Sequence, residues 1–349
     1  MLFHHLVIAI ILSIVQISSG ELNLIQAVRL IKHECGEICD TSITGEPTRH
    51  GIDSISKKFD CPHILTSKLL DEPPSTGLFE KPPKLNDIPE KVVAHFTYDN
   101  RFESLFVYMD DSQSRTHVSI WDEELVENLR KAFVDGTLRG AYGPNAVREI
   151  AEYLRKHFAH LLERENSHAL VIGSQSPWIE AILLELGAGH VTTLEYEEID
   201  VGHPDLTVLT PAQFRAGVAD GSLPAFDAVV TFSSVEHSGL GRYGDPINPW
   251  GDLIATARAW CLTKPGGRML LGVPVSFDAV LFNAAKLYGK LQLEHLFANW
   301  EIIDMSADLS KYGRDAKSED YPVPGAIYSY QPVFVLQKPS DHPDWREEL

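Results

Sequence analysis

Between Phe232 and Asp252 the chain reads FSSVEHSGLGRYGDPINPWGD, with His237, Arg242 and three acids set among four glycines and two prolines. Histidine is the side chain best suited to take a proton near neutral pH, so His237 is the candidate general base. Glu236 beside it is placed to orient it or to bind an acceptor. Arg242 and Tyr243 suit an anionic or hydroxyl-rich substrate. Asp245 and Asn248 offer acceptors and donors to sugar-like hydroxyls. The glycines let such a loop bend over a ligand, and the prolines limit how far it wanders. By residue type alone the stretch also reads as a plain turn, with Arg242 paired to Asp245 and His237 capping a helix. A divalent metal on Glu236, Asp245 and Asp252 fits no standard spacing.

The elements around this stretch say where it must lie. From His168 onward apolar runs alternate with helical segments. HALVIG, HVTTLEY, LTVLT, FDAVVTF and RMLLGVPV read as strands, apolar on both faces. SPWIEAILLELGAG, PAQFRAGVADG and GDLIATARAWCLTKPGG read as the intervening helices, with EIIDMS and QPVFVLQK as late strands. That alternation predicts an α/β fold, a doubly wound and mostly parallel sheet with helices on both faces. Such sheets bind ligands beyond the carboxyl ends of their strands. Three loops therefore matter: GSQSPW, the turn after HVTTL, and the Phe232 stretch. In the first, Gly173 and Ser174 are small enough for a ligand to approach the backbone and the following helix N-terminus. In the second, Glu195 is placed to accept hydrogen bonds from two ribose hydroxyls, or stands in a solvated acidic cluster with Glu197 and Glu198.

The succession ALVIGSQSPW, TTLEY, FDAVVTFSSVEH and KPGGRMLLGVP resembles class I S-adenosylmethionine-dependent methyltransferases, over roughly residues 141–338. The longer stretch EHSGLGRYGDPINPWGD is similar to methyltransferase-like domains of unknown function of the DUF268 type. The resemblance implies a Rossmann-like sheet and S-adenosyl-L-methionine as cofactor. Gly173 and Ser174 would border its methionine part, Glu195 would hold its ribose, and Phe232 and Ser233 would lie beside cofactor and acceptor. Two positions depart from the family pattern. Val171 stands where an acid is common, and Gln175 where a second glycine is usual. Two functions follow. One is a methyltransferase acting on an oxygen of a glycan or small polar metabolite. The other is a non-catalytic binding protein on the same scaffold, with side chains filling the cofactor space. A dinucleotide enzyme would want the fuller G-x-G-x-x-G loop, which GSQSPW lacks.

The rest of the chain sets the context. It has 349 residues, 44% of them apolar, with 49 acids against 30 bases and a net charge of -19. Such a surface repels phosphate backbones, so nucleic acid is not expected as a partner. Leu6 to Ile17 is a nearly unbroken apolar run followed by Ser18 and Gly20, a secretory signal pattern with a cut after residue 20. This predicts a chain in the secretory lumen or secreted, with no membrane span after cleavage; an uncleaved signal would instead anchor it. Cys35, Cys39 and Cys61 cluster early, and an oxidising lumen predicts a disulfide among them whose pairing the sequence leaves open. A zinc site with His33, His50 or His63 is the alternative. Cys261, in ATARAWCL, reads as a packed core residue. The expected organisation is a signal at 1–20, a cysteine-containing region and proline-rich linker at 21–90, and a strand and helix extension at 91–140. The methyltransferase-like domain follows at 141–338, and a polar tail at 339–349. In the extension, VVAHFTY and SLFVYM read as the two strands of a hairpin.

Overall fold

The structure, a computed structural model, describes residues 23–72, 79, 81–112, 118–307, 309, 331–342, 344 and 346. The leader expected at 1–20, and parts of the linker and tail, lie outside the described residues. No helix among the described residues is long and apolar enough to cross a membrane.

The chain opens with helix α1 (Leu24–Cys35), whose start is closed by a reciprocal bond pair between Asn23 and Gln26. Two short helices follow, α2 (Cys61–Thr66) and α3 (Lys68–Asp71). Where a hairpin was expected, residues 90–96 instead form helix α4 (Glu90–Phe96), and only β1 (Glu103–Val107) is a strand. Val92 and Phe96 lie one helical turn apart and are buried together, a spacing that suits one face of a helix as well as one face of a strand. Tyr98, Asp99 and Asn100 then take left-handed backbone, and the Asp99 amide donates back to the Ala94 carbonyl to end the helix.

Strand β2 (Ser119–Trp121) leads into α5 (Glu123–Val134), capped by Asp122, and into α6 (Pro144–Leu162), with proline in its first turn. The alternating segment is then β3 (His168–Ile172), α7 (Trp178–Glu185), β4 (His190–Leu194), β5 (Ile199–Val201), β6 (Leu206–Leu209), α8 (Pro211–Ala219) and β7 (Phe226–Phe232). Helix α9 (Gly251–Leu262) and strand β8 (Thr263–Gly272) come next, so TKPGG belongs to the strand rather than to the helix. Its first part is a bulge, with the register against β7 shifting between Thr263 and Arg268. The chain closes with β9 (Ala279–Asn283), β10 (Ala285–Leu287), α10 (Lys290–Leu296), β11 (Glu301–Met305) and β12 (Val333–Gln337).

The main sheet has seven strands in the order β11-β12-β8-β7-β3-β4-β6. Its five strands from β8 to β6 run parallel, and β12 is antiparallel to both β8 and β11. This is a doubly wound, mostly parallel Rossmann-like sheet. The chain leaves β3 toward β4 and β6 on one side, then returns to β7 and β8 on the other. The topological switch therefore lies between β3 and β7, where a ligand crevice opens. All seven residues of β7 are buried. One core lies beneath α5, α6 and α7; a second packs α8, α9 and the N-terminal helices against the opposite face.

All four cysteines are bonded, as Cys35–Cys39 and Cys61–Cys261. Cys261 is buried as expected, yet it is a disulfide partner rather than an apolar packing residue. No thiolate remains among them for zinc.

Candidate functional site

The first loop leaves β3 through Gly173 at φ +73°, and any side chain there would collide with the Ser234 hydroxyl. Conformation and packing both demand glycine. The Ser174 amide donates to Glu195 Oε2 at 2.9 Å, and the Tyr196 amide donates to Glu195 Oε1 at 2.7 Å. Burial pushes the Glu195 carboxyl above its ordinary range. A carboxylate has about four lone-pair sites, and these bonds use one on each oxygen, leaving capacity for two hydroxyl donors.

Beneath this loop lies a carboxyl group that sequence reasoning missed. Glu180, on α7, is fully buried and meets the hydroxyls of Thr193 at 2.8 Å and Ser174 at 3.2 Å. Its sequence signal was an acid inside the apolar run WIEAILL.

The third loop begins at Phe232, whose ring fills the space a side chain on Gly272 would occupy. Ser233 takes φ +53°, a conformation uncommon for a non-glycine residue and one that clusters at working sites. Its hydroxyl donates to Glu236 Oε1 at 2.7 Å, and Gln331 Nε2 donates to the same oxygen at 3.2 Å. Glu236 is buried, and its Oε2 has no partner among the described residues. His237 Nδ1 lies 2.7 Å from the Ala284 carbonyl. A carbonyl only accepts, so that bond assigns the proton to Nδ1 and leaves the Nε2 lone pair available. Nε2 stands 3.7 Å from Glu236 Oε1.

The remaining loop residues depart from the sequence reading. Arg242 pairs neither with a ligand position nor with Asp245. Its Nε donates to Asp111 at 2.6 Å, one Nη donates to the Ala284 carbonyl at 3.3 Å, and its guanidinium lies over the Tyr243 ring. Asp245 accepts from the amides of Gly239, Gly241 and Tyr243, so it holds the loop's own backbone. Asn248 is buried, and its side-chain oxygen accepts from the Trp250 amide. Asp252 is buried and pairs with Lys286 and Tyr288, far from any shared metal geometry with Glu236 and Asp245. Tyr243, Asp245 and Asn248 all line the cavity, and the Tyr243 ring meets the His237 ring edge-on at 5.6 Å.

These parts surround a cavity of about 510 Å³, within the usual range for small-molecule sites. Gly173, Ser174, Glu195, Phe232, Ser233 and His237 all line it. Glu236 stands behind His237 and is not among the lining residues. The cavity also has walls that no motif marked. Tyr142, in the turn before α6, packs against Phe232 with ring centroids 5.2 Å apart. Asp71 of α3 and Arg258 of α9 close the other end, paired with each other and tied to Arg215.

The [4+2]-cyclase SpnF is similar in structure, with a TM-score of 0.36 and 14% identity over 68% of this chain and 99% of that one. So is the Burkholderia thailandensis 1,6-didemethyltoxoflavin-N1-methyltransferase, solved with S-adenosylhomocysteine bound; it gives a TM-score of 0.33 and 15% identity over 62% of this chain and 89% of that one. No curated protein sequence matches the chain. Residues 166–339, the span from β3 through β12 that carries all three loops of the cavity, match the family described as Caenorhabditis protein of unknown function, DUF268, and the chain is a member of that family.

Proposed function

We propose that this protein transfers a methyl group from S-adenosylmethionine to an oxygen of a glycan or small polar metabolite in the secretory pathway. The observation that carries the reading is the cavity at the switch point, where Gly173, Glu195, Ser233 and His237 line one opening. The alternative, a non-catalytic scaffold, required side chains filling that space, and the open cavity argues against it. The lumenal address rests on the leader-like run at Leu6 to Ile17 and on two disulfides.

The residues fit the cofactor. Gly173 lines the cavity at a positive φ with no side chain of its own, and Glu195 keeps lone pairs for the ribose hydroxyls. When bound, S-adenosylmethionine supplies an electrophilic methyl on a sulfonium, so the protein's main task is positioning. Gly173 and Ser174 would border the methionine part, and Phe232 and Ser233 would lie toward the acceptor. His237 Nε2 takes the proton of the acceptor hydroxyl as the oxygen becomes the nucleophile. The imidazolium formed stands beside the Glu236 carboxylate, which stabilises its charge.

Calorimetry with S-adenosylhomocysteine tests the reading, and a correctly folded chain that does not bind would reject it. Glu195→Gln is expected to weaken that binding by roughly tenfold or more, since hydrogen bonds to a charged group contribute about 1.5–3 kcal/mol. His237→Ala is expected to lower turnover by about 100-fold or more while cofactor affinity stays nearly intact.

A further inference from the structure

The polar groups of the Phe232–Asp252 loop decide what the acceptor end of the cavity can hold. Arg242, Asp245 and Asn248 are the handles an anionic or many-hydroxyl acceptor would need. The two charged ones are spent within the protein, Arg242 on Asp111 and Asp245 on three loop amides; Asn248, which lines the cavity, commits its side-chain oxygen to the Trp250 amide. Among the described residues lining the cavity the one arginine or lysine is Arg258, and its guanidinium pairs with Asp71. An anion at the His237 end would thus meet the buried Glu236 carboxylate with no uncompensated cation to offset it.

What this end does present is rings. Tyr142 stands against Phe232, and its hydroxyl lies 3.4 Å from the Ser233 carbonyl. Tyr243 stands edge-on to His237. All four rings line the same cavity, and Tyr142 is 46% exposed, so its ring has surface left to cover. Aromatic faces of this kind reward a flat or apolar ring face without asking for charge.

Resting on the methyl-transfer reading above, we infer that the acceptor is an uncharged, ring-bearing hydroxyl compound, held by Tyr142 and Tyr243 with its hydroxyl toward His237 Nε2. Two sources share that chemistry: a neutral sugar, which offers a C–H face to an aromatic ring, and a phenol. Uronates and sulfated or phosphorylated sugars are excluded.

Ligand-observed NMR titration of the full chain saturated with S-adenosylhomocysteine tests this. The uncharged probes are methyl glucopyranoside and 4-methylphenol; their carboxylate twins are methyl glucuronopyranoside and 4-hydroxybenzoate. At least one uncharged probe is expected to bind roughly tenfold more tightly than its twin, and which one does so distinguishes sugar from phenol. Tyr142→Ala and Tyr243→Ala are each expected to weaken that probe about fivefold while S-adenosylhomocysteine binding changes little. Asp111→Asn releases the Arg242 charge and is expected to restore binding of the carboxylate twin. A twin that binds the unaltered chain as tightly as its neutral partner overturns the inference, as does binding of neither neutral probe. Failure of the methyl-donor reading shows separately, as no response to S-adenosylhomocysteine. The same order of preference is then required of the chain alone.

Discussion

At Glu180 a carboxyl group is buried completely, and burial disfavours its charged form. Ser174 has one hydroxyl proton, and the Ser176 carbonyl lies 2.9 Å from its oxygen. If the proton goes there, a protonated Glu180 donates to Ser174 in return and every partner is satisfied. Burial accordingly pushes the Glu180 pKa up to about 7, from 4.5 for an exposed carboxyl. The folded value is the higher one, so folding binds this proton more tightly. The stabilisation is complete below about pH 4.5 and is lost as pH rises through about 7, a swing on the order of 3 kcal/mol. Glu180→Gln is expected to flatten that part of the pH dependence. Urea unfolding at pH 5 and pH 8 checks it: the unaltered chain should lose stability relative to the variant at the higher pH, and equal slopes would refute the assignment. The sequence showed an acid in an apolar helix but not its purpose, because a helix buried along almost its whole length offers no polar face from which to read one.

The loops after β3, β4 and β7 were legible as site elements because parallel strands buried on both faces leave long apolar runs, and their ends are easy to see. Gly173 was legible for the same reason. What it packs against was not, since Ser234 comes from a strand end more than fifty residues away. Gly173→Ala faces both the positive φ and the Ser234 hydroxyl. It is expected to lower stability by about 1 kcal/mol or more and to reduce S-adenosylhomocysteine affinity. Adding Ser234→Gly removes the collision and should recover part of both losses; thermal unfolding and calorimetry on the single and double variants measure this. The hairpin expected in the extension failed because VVAHFTY carries β-branched and aromatic residues that suit either structure. Its partner strand β1 pairs in parallel with β9, which lies far along the chain.

For the molecule as a whole, the N-terminal helices are part of the site rather than an appendage to it. Leu70 and Asp71 line the cavity, and Asp71 is held by both Arg215 and Arg258. The Cys61–Cys261 bond fastens α2 to α9 across a sequence separation of 200. Closing so long a loop contributes about 5 kcal/mol by chain entropy, against about 2 kcal/mol for the Cys35–Cys39 loop. The double variant Cys61→Ser, Cys261→Ser is therefore expected to lose several kcal/mol in denaturant unfolding and to bind S-adenosylhomocysteine more weakly as the α3 wall loosens. A Cys35→Ser, Cys39→Ser variant should lose less and leave the cavity wall intact; the reverse ranking would contradict this reading.

The sequence by itself determined the order of the seven main-sheet strands along the chain, the sheet type, and three loops at the strand ends, because each follows from local periodicity and punctuation. It also singled out Gly173, Glu195, Phe232, Ser233 and His237, whose places follow from that order. Only the tertiary structure decided that Arg242 answers to Asp111, that Asp245 and Asn248 hold their own loop, that Tyr142 faces the opening, and that Cys261 reaches back to Cys61. A polar side chain bonds whatever partner folding brings within about 3 Å, and no local pattern in the chain encodes which distant segment that will be.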